Sequence, residues 1–309
     1  MLELIFMMIA LSKIPGARGS AFPTAVSPML LHSEKKPFNK EGWLYEPKLD
    51  GMRAIALVNN GKCKLISRNG RDITGTFLVI AEDLQQRKGQ FVLDGEIVAA
   101  GKDGRPDFEA LQARWLLSKP YQVDQAEKIA PASFYTFDLL YAKGLSLSSC
   151  KLVQRKSMLQ SSIENSSRVK VIEGFEDGIA LYEACHDQDL EGIVCKREAS
   201  LYQEGLRSRD WIKIKFTQTN DFLVIGWKKD EGFIVSRTGD PSFKPVGVVQ
   251  YGFTHKDYQT LLSILRPKDK DERREHLWFE PEVTVRVEFM RWTNAGKLRF
   301  PVFKSIIKS

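Results

Sequence analysis

Three Asx-Gly pairs follow one another closely after Trp43, and they constrain the fold more than any other feature of this sequence. They are Asp50-Gly51, Asn60-Gly61 and Asn69-Gly70, and each comes directly after a short apolar run. Such pairs favour the tight turns of β-hairpins, because both turn positions require a positive φ. The pattern predicts short strands joined by tight turns, over Trp43–Lys48, Arg53–Asn59 and Lys64–Arg68.

Strands and helices then mix without regular alternation up to about residue 217. Apolar runs predict strands, and apolar residues at helical spacing predict helices. The few strand-helix-strand crossovers indicate an α+β fold rather than a doubly wound α/β fold. The predicted strands are Phe91–Ala99, Phe134–Leu140, Gly192–Lys196 and Trp211–Lys215, and the predicted helices are Thr76–Arg87, Phe108–Leu117, Leu152–Gln160 and Gly178–His186.

The pattern of predicted elements changes near Phe216–Asp221. After this point several strands are predicted with a single helix, His255–Leu265. This pattern predicts a small β-barrel such as an OB-fold. The chain therefore divides into an N-terminal extension (1–25), a first domain (26–217) and a barrel domain (218–309). The predicted barrel strands are Phe222–Trp227, Phe233–Arg237, Val246–Gly252 and Val283–Phe289.

Composition excludes several classes of protein. With 309 residues, 43% hydrophobic and 28% charged, the chain is neither disordered, nor collagen-like, nor a disulfide scaffold. The excess of 46 Lys and Arg over 39 Asp and Glu gives a net charge of +7, which permits a polyanionic partner without requiring one. The four cysteines are scattered and are expected to be reduced thiols.

The N-terminus carries an apolar run, Leu4–Leu11, that is too short to span a bilayer. The only early charge is Glu3, whereas a secretory signal begins with a positive segment. We therefore expect residues 1–25 to be a disordered extension or the result of an early start, with a cleaved leader as the minority alternative. The protein is expected in the cytoplasm, associated with the nucleoid and not with a membrane.

Four short segments carry residues suited to chemistry. In an extended Glu46–Asp50, the side chains of Glu46, Lys48 and Asp50 share one face. For the Lys48–Gly51 tetrapeptide considered alone, a surface strand with an incidental ion pair is the favoured explanation. Trp211–Lys215 is expected to place its two lysines on one side and its Trp and Ile residues on the other, as an anion site or a charged edge strand. Asp94-Gly95-Glu96 and Glu191-Gly192 offer carboxylates at strand ends, for metal or sugar binding or for ordinary turns.

The order of these segments resembles the covalent nucleotidyltransferase superfamily, and within it the ATP-dependent DNA ligases. The closest resemblance is to the ligase module of bacterial ligase D and its stand-alone relatives, from about Pro28 to Phe303. Neither a Walker A pattern nor G-x-G-x-x-G is present in the sequence, so a nucleotide site must be built from side chains on several strands. The matching segments are Glu46–Gly51, Ser67–Gly70, Phe91–Val98, Phe137–Tyr141, Glu191–Lys196 and Arg207–Lys215.

The resemblance implies an adenylation (nucleotidyltransferase, ATP-grasp-like) domain of antiparallel sheets and helices, followed by a C-terminal OB-fold. It implies ATP and Mg²⁺ or Mn²⁺ as cofactors, and Lys48 as the nucleophile that becomes adenylated. Glu46 then contacts adenine, Phe137 stacks on it, and Glu96 binds ribose and metal together with Glu191. The cations implied to bind phosphates of AMP or of the nick are Arg53, Arg68, Lys213 and Lys215, and those implied to bind DNA or pyrophosphate are Arg291, Lys297 and Arg299.

The implied substrate is nicked double-stranded DNA, sealed by a monomer that works with end-binding repair proteins. RNA ligation or mRNA capping is the alternative activity, since those relatives share the lysine motif. A non-catalytic OB-fold protein that binds nucleic acid is a third reading. The retention of Lys48, Glu96, Glu191, Lys213 and Lys215 argues against it.

Overall fold

A computed structural model describes residues 14–101, 104–115, 117, 119–268, 276–293 and 295–308. Contacts divide the chain into two compact units, Met1–Lys215 and Phe216–Ser309. The strands of the first unit, in chain order, are β1 Arg18–Gly19, β2 Leu30–Glu34, β3 Trp43–Lys48, β4 Met52–Asn59, β5 Lys62–Ser67, β6 Gln90–Ala99, β7 Ala132–Ala142, β8 Leu145–Ser146, β9 Val169–Val171, β10 Gly192–Arg197 and β11 Arg207–Lys215.

The helices of the first unit pack against both of its sheets, and the last one, Gly178–Asp187, packs against β3 and β10. The helices are α1 Leu78–Gln85, α2 Phe108–Arg114, α3 Pro120–Ile129, α4 Leu152–Ser162 and α5 Gly178–Asp187, with a 3₁₀ turn at Thr74–Phe77. Where the sequence predicts one helix over Thr76–Arg87, the structure has this turn followed by α1. Two of the helices begin at aspartates, Asp107 and Asp177, whose carboxylates accept hydrogen bonds from the first free backbone N–H groups.

Two sheets form the first unit. The larger one has the strand order β1-β8-β7-β6-β4-β5, with β9 also paired to β7, and the smaller one has the order β2-β11-β10-β3. All pairs are antiparallel except β7 with β9 and β11 with β2. Residues of both sheets, such as Ile55 and Trp211, share one buried cluster, so the sheets pack face to face. The opposite face of the larger sheet packs its apolar residues against the helices.

The Asp50-Gly51 pair does not form the hairpin that the sequence predicts. Strand β3 pairs with β10 in the smaller sheet, whereas β4 pairs with β5 and β6 in the larger one. The pair therefore carries the chain from one sheet to the other. Glycine is required because a Cβ at Gly51 would lie 2.3 Å from the carbonyl oxygen of Ile97. The hairpin prediction holds at Asn60-Gly61, where φ is 48° and 82° and Asn59 pairs with Lys62.

In its described residues, the second unit contains a six-stranded sheet and one helix, α6 His255–Ile264. Its sheet order is β14-β13-β12-β16-β17, and β15 pairs with β12. A parallel bridge between Tyr251 and Val302 links the two ends of this order, which is the closure expected of a small barrel. The strands are β12 Gln218–Lys228, β13 Gly232–Arg237, β14 Pro245–Val249, β15 His276–Trp278, β16 Thr284–Phe289 and β17 Val302–Lys308.

Part of the N-terminal extension is ordered, in contrast to the disorder expected for residues 1–25. Strand β1 pairs with β8. The rings of Phe22 and Tyr141 pack edge to face, with 5.3 Å between their centroids. Residues 1–13, which include the apolar run, lie outside the described residues. No helix in the described part of the chain combines the length and apolar character that a membrane crossing requires.

Candidate functional site

Alternation along three neighbouring strands gathers the predicted lysines on one face of the smaller sheet. Residues that pair directly across strands share a face, and so do residues two apart on one strand. The face therefore carries the proposed nucleophile, the predicted adenine-binding glutamate and both predicted phosphate-binding lysines. The cross-strand rows are Glu46–Val194–Lys213 and Lys48–Gly192–Lys215.

Trp211 lies on this same face, which corrects the prediction that it points away from the lysines. It is two residues before Lys213 and pairs with Lys196 of β10. The opposite face of β11 carries only Ile212 and Ile214 from this run. The buried indole of Trp211 therefore forms part of the wall of the site.

The larger sheet supplies the opposite wall. Arg53 on β4 pairs directly with Glu96 on β6, and Asp94 lies two residues before Glu96 on the same face. Phe137 of β7 is buried between the sheets. A narrow cavity between the walls is lined from one sheet by Glu46, Lys48 and Lys196, among others, and from the other by Arg53, Glu96 and Phe137. The structure thus brings together most of the predicted site residues of the first unit.

Glu191 connects two of the lysines. Its Oε2 accepts from Lys48 Nζ at 2.6 Å and its Oε1 lies 2.5 Å from Lys215 Nζ. Burial alone would raise the pKa of Glu191, but Lys48 and Lys215 hold it below its usual value. Burial lowers the pKa of Lys213, and the neighbouring cations Lys215 and Lys48 lower it further. Lys213 forms no ion pair with any described residue, so its charge is available to an anion.

Gly192 fixes where Glu191 is placed. Its φ is +146°, and a Cβ there would lie 2.0 Å from the carbonyl oxygen of Ile214 on β11. Only glycine allows the backbone to enter β10 this closely against β11. The carboxylate of Glu191, the preceding residue, therefore lies at the end of the sheet where Lys48 and Lys215 lie.

Glu46 is buried between two lysines that the sequence analysis did not assign. Its Oε1 accepts from Lys156 Nζ and its Oε2 from Lys196 Nζ, each at 2.5 Å. Burial would raise the pKa of Glu46, yet Lys156 and Lys196 lower it below the usual value. The same alternation that places Glu46 could have identified Lys196, since it lies on the inward face of β10. Nothing local could have identified Lys156, which comes from a helix distant in sequence.

Arg53 is held by a buried acceptor. Asp94, fully buried, accepts from Arg53 Nε and Nη2 at 2.5 Å each, and also from the Tyr202 hydroxyl at 2.6 Å. The guanidinium carbon lies 4.5 Å from the centroid of the Phe137 ring. The predicted phosphate-binding arginine is therefore fixed in place beside the predicted adenine-stacking ring. Asp94, which the sequence analysis offered for metal or sugar binding, and Tyr202, which it missed, are positioning residues.

Glu96 and Glu191 are suited to a divalent cation. Burial raises the pKa of Glu96 to about 7, despite the opposing effect of Lys48 and Arg53, and Glu191 contributes to the rise. A cation between two such carboxylates would relieve this repulsion. Within the described ranges, no group of three or more His, Cys, Asp or Glu side chains gathers to hold a metal by itself. Mg²⁺ commonly binds one or two carboxylates together with substrate phosphates, and the pair fits that pattern.

The remaining predicted residues lie at the surface or in the second unit. The side chain of Arg68 is exposed, and its backbone N–H donates to the Arg53 carbonyl at 3.2 Å.

In the second unit, Arg291 and Arg299 face each other across a hairpin, where Arg299 N–H donates to the Arg291 carbonyl at 3.0 Å. The Arg299 guanidinium is largely buried over Phe300, and Lys297 Nζ donates to the Pro245 carbonyl.

Two family models match this chain. The model described as ATP dependent DNA ligase domain matches residues 28–215, and the model described as ATP dependent DNA ligase C terminal region matches residues 228–308. Together they span both structural units. The first covers the larger unit and includes every element of the site between the two sheets.

Individual proteins agree with the family models. The SPbeta prophage-derived DNA ligase-like protein LigB of Bacillus subtilis (strain 168) is 34% identical over 282 residues, covering 91% of this chain and 98% of that protein. The multifunctional non-homologous end joining protein LigD of Mycolicibacterium smegmatis is 29% identical over 310 residues, covering 93% of this chain and 39% of LigD. The chain thus spans nearly all of the first relative and about two-fifths of the second.

Solved structures confirm the fold. The ligase domain of LigD from M. tuberculosis aligns with a TM-score of 0.54 at 25% identity, covering 91% of this chain and 95% of that one. A Lig E DNA ligase aligns with a TM-score of 0.62 at 19% identity, covering 91% and 100%. The predicted α+β nucleotidyltransferase fold followed by an OB-fold is therefore confirmed. The chain belongs to the ATP-dependent DNA ligase family, and it is a DNA ligase that uses ATP.

Proposed function

We propose that the chain seals nicks in duplex DNA through a lysyl-AMP intermediate carried on Lys48. The observation that supports this most strongly is that Lys48 lines a cavity between two sheets and lies beside Glu191, Lys213 and Lys215. A lysine nucleophile needs an anion-binding surface that positions the α-phosphate against its amine. The face of β3, β10 and β11 provides both the lysine and the anion-binding surface.

Adenylation is the first of three steps. The neutral Nζ of Lys48 attacks the α-phosphorus of ATP, a nitrogen–phosphorus bond forms, and the bond to pyrophosphate breaks. Lys213 and Lys215 neutralise the charge that develops on the phosphoryl oxygens. Glu96 and Glu191 would hold Mg²⁺ or Mn²⁺, which supplies further positive charge to the triphosphate when bound. Glu46 and Phe137 orient the adenine.

The second and third steps use the nicked DNA. The 5′-phosphate oxygen attacks the phosphorus of lysyl-AMP, and the lysine amine leaves. The 3′-hydroxyl then attacks the DNA phosphorus, AMP leaves, and the backbone is closed. Arg53, held by Asp94, is placed to contact phosphate in these steps, and Arg68, Arg291, Lys297 and Arg299 are proposed to contact DNA or pyrophosphate. We also propose a role in DNA repair by end joining, together with end-binding proteins, and the LigD relatives named for non-homologous end joining support the end-joining role.

Nick sealing by the purified full chain tests this proposal. With ATP and Mg²⁺ or Mn²⁺, we expect sealing of a nicked DNA duplex, and weaker sealing when the 3′-hydroxyl strand is RNA. Lys48→Ala should not seal the ordinary nick, yet it should seal a nick that already carries a 5′-adenylate, because the third step does not use the lysine as nucleophile. Preferential sealing of RNA would favour the RNA-ligase alternative, and loss of both activities in the variant would contradict the assigned role of Lys48.

A further inference from the structure

Lys156 reaches the site from α4 and completes the surroundings of Glu46. Its side chain is only 6% exposed, and its Nζ donates to Glu46 Oε1 at 2.5 Å and to the Ile172 carbonyl at 2.8 Å. An ammonium group buried this deeply is stable only when its hydrogen bonds are satisfied by fixed partners. Both partners of Lys156 belong to the protein, so the lysine is anchored at this position.

Lys196 binds the other oxygen of Glu46 in a different setting. Its Nζ lies 4.1 Å from the centroid of the Phe137 ring and 4.4 Å from that of Trp211. Lys196 and Glu46 both line the cavity between the two sheets, and Lys156 is not among the residues that line it. Of the two lysines that bind Glu46, one therefore contacts the space available to a nucleotide and the other lies behind the carboxylate.

Glu46 can accept more hydrogen bonds than the two lysines donate. An ionised carboxylate has about four lone-pair positions on its two oxygens and no proton to donate. The two lysine bonds leave acceptor capacity directed at the cavity. The 6-amino group of adenine is a donor, so an ionised and fixed Glu46 is its complement, and protonation or rotation of Glu46 would weaken this match.

We propose that Lys156 is a positioning residue for adenine: it keeps Glu46 ionised and oriented to accept from the 6-amino group of ATP, without touching the nucleotide itself. This inference rests on the proposed function, in which Glu46 contacts adenine. Lys156 acts only through Glu46. Its contribution therefore exists only for nucleotides that carry a donor at the 6-position.

Lys156→Met tests this inference, because methionine has a similar length and carries no charge. Self-adenylation of the full chain is measured with ATP and with purine riboside triphosphate, which lacks the 6-amino group. A charge-assisted hydrogen bond contributes enough to change affinity by roughly tenfold or more. We expect the KM for ATP to rise by about tenfold in the variant. The KM for the analogue should be high in the wild type and should change by less than about twofold in the variant.

Measuring two nucleotides on one protein separates positioning from folding. A variant that is merely destabilised loses activity with both nucleotides alike, as does one whose active fraction is reduced. Lys128→Met serves as the matched control, since Lys128 is exposed on α3 and pairs with Asp124. It should leave both KM values unchanged.

Two results would overturn the inference in different ways. An equal rise in KM for both nucleotides, or no rise with ATP, would show that Lys156 does not act through the 6-amino contact, while the ligase activity itself stands. Failure of the wild type to take label from ATP would overturn the proposed function and the role of Lys156 with it.

Discussion

At the level of single residues, the carboxylate of Glu191 pairs with both the proposed nucleophile and a proposed phosphate-binding lysine. Its distances to Lys48 Nζ and Lys215 Nζ are 2.6 and 2.5 Å. Attack on phosphorus requires a neutral amine at Lys48. In the proposed reaction, the phosphates of ATP approach Lys48 and Lys215 where Glu191 already pairs with both.

Glu96 makes the stability of the protein depend on pH. Burial raises the pKa of Glu96 from 4.5 to about 7, so the folded state holds this proton more tightly than the unfolded state. The stabilisation from the protonated group is complete below about pH 4.5 and is lost as the pH rises through about 7. Glu96→Gln should remove this dependence and raise the free energy of unfolding at pH 8 by on the order of 2 kcal/mol.

Urea unfolding at pH 5 and pH 8 without divalent metal measures this effect. Glu183→Gln is a matched control, because Glu183 is exposed on α5 and should behave as the wild type. If Glu96→Gln loses stability between the two pH values as steeply as the wild type, Glu96 is not the group responsible.

At the level of elements, the order of short strands was predictable from the sequence, because apolar runs and turn residues mark their ends locally. Strand β3 has the predicted bounds. The local sequence pattern does not show which strands pair with each other in a sheet. The Asp50-Gly51 turn looks the same whether it returns the chain to one sheet or sends it to another, and only packing against Ile97 decides. For the same reason β2, which joins the smaller sheet through β11, was not predicted.

The candidate site shows the same limit. Lys48, Glu96, Glu191, Lys213 and Lys215 were identified from the order of motifs. The strand register places the three lysines together, Glu191 pairs with two of them, and Glu96 comes from the opposite sheet. Lys156 and Tyr202 were missed, because each acts through a residue far away in sequence. The side of β11 occupied by Trp211 was mistaken, although the alternation of residues along a strand was sufficient to decide it.

Gly192 allows a test of how β10 enters the smaller sheet. Gly192→Ala adds a Cβ 2.0 Å from the Ile214 carbonyl oxygen and requires an alanine at φ +146°. We expect a loss of more than about 3 kcal/mol in the free energy of unfolding, or failure to fold. Gly70→Ala is the control, since Gly70 also has a positive φ of +80° but no atom within 4 Å of its added Cβ.

Chemical denaturation of both variants measures the difference. Gly70→Ala should cost about 1 kcal/mol from backbone strain alone. Similar losses in the two variants would mean that the close approach of β10 to β11 is not what requires glycine at position 192.

At the level of the whole molecule, the net charge of +7 is less informative than where the cations lie. Lys213, Lys215 and Arg53 are at the proposed adenylation site in the first unit, whereas Arg291, Lys297 and Arg299 are in the second. Adenylation involves one small anion, while sealing requires contact with many DNA phosphates. The two activities should therefore respond differently to salt, because only binding to DNA releases a large number of condensed counterions.

Sealing and self-adenylation can be compared between 50 and 200 mM NaCl, roughly the range over which several phosphate contacts weaken binding by orders of magnitude. With subsaturating DNA, we expect sealing to fall by at least about tenfold while adenylation changes by less than about twofold. Equal salt dependence of both activities would show that phosphate contacts with DNA do not dominate substrate binding.

Lys48 is proposed to carry AMP. This proposal is tested by incubating the full chain with ATP labelled at the α-phosphate and a divalent metal, followed by denaturing electrophoresis. We predict a covalent label on the wild type and on Lys62→Ala, a control at an exposed lysine of β5, and no label on Lys48→Ala. A labelled Lys48→Ala variant, or an unlabelled wild type, would contradict the assignment of Lys48 as the nucleophile.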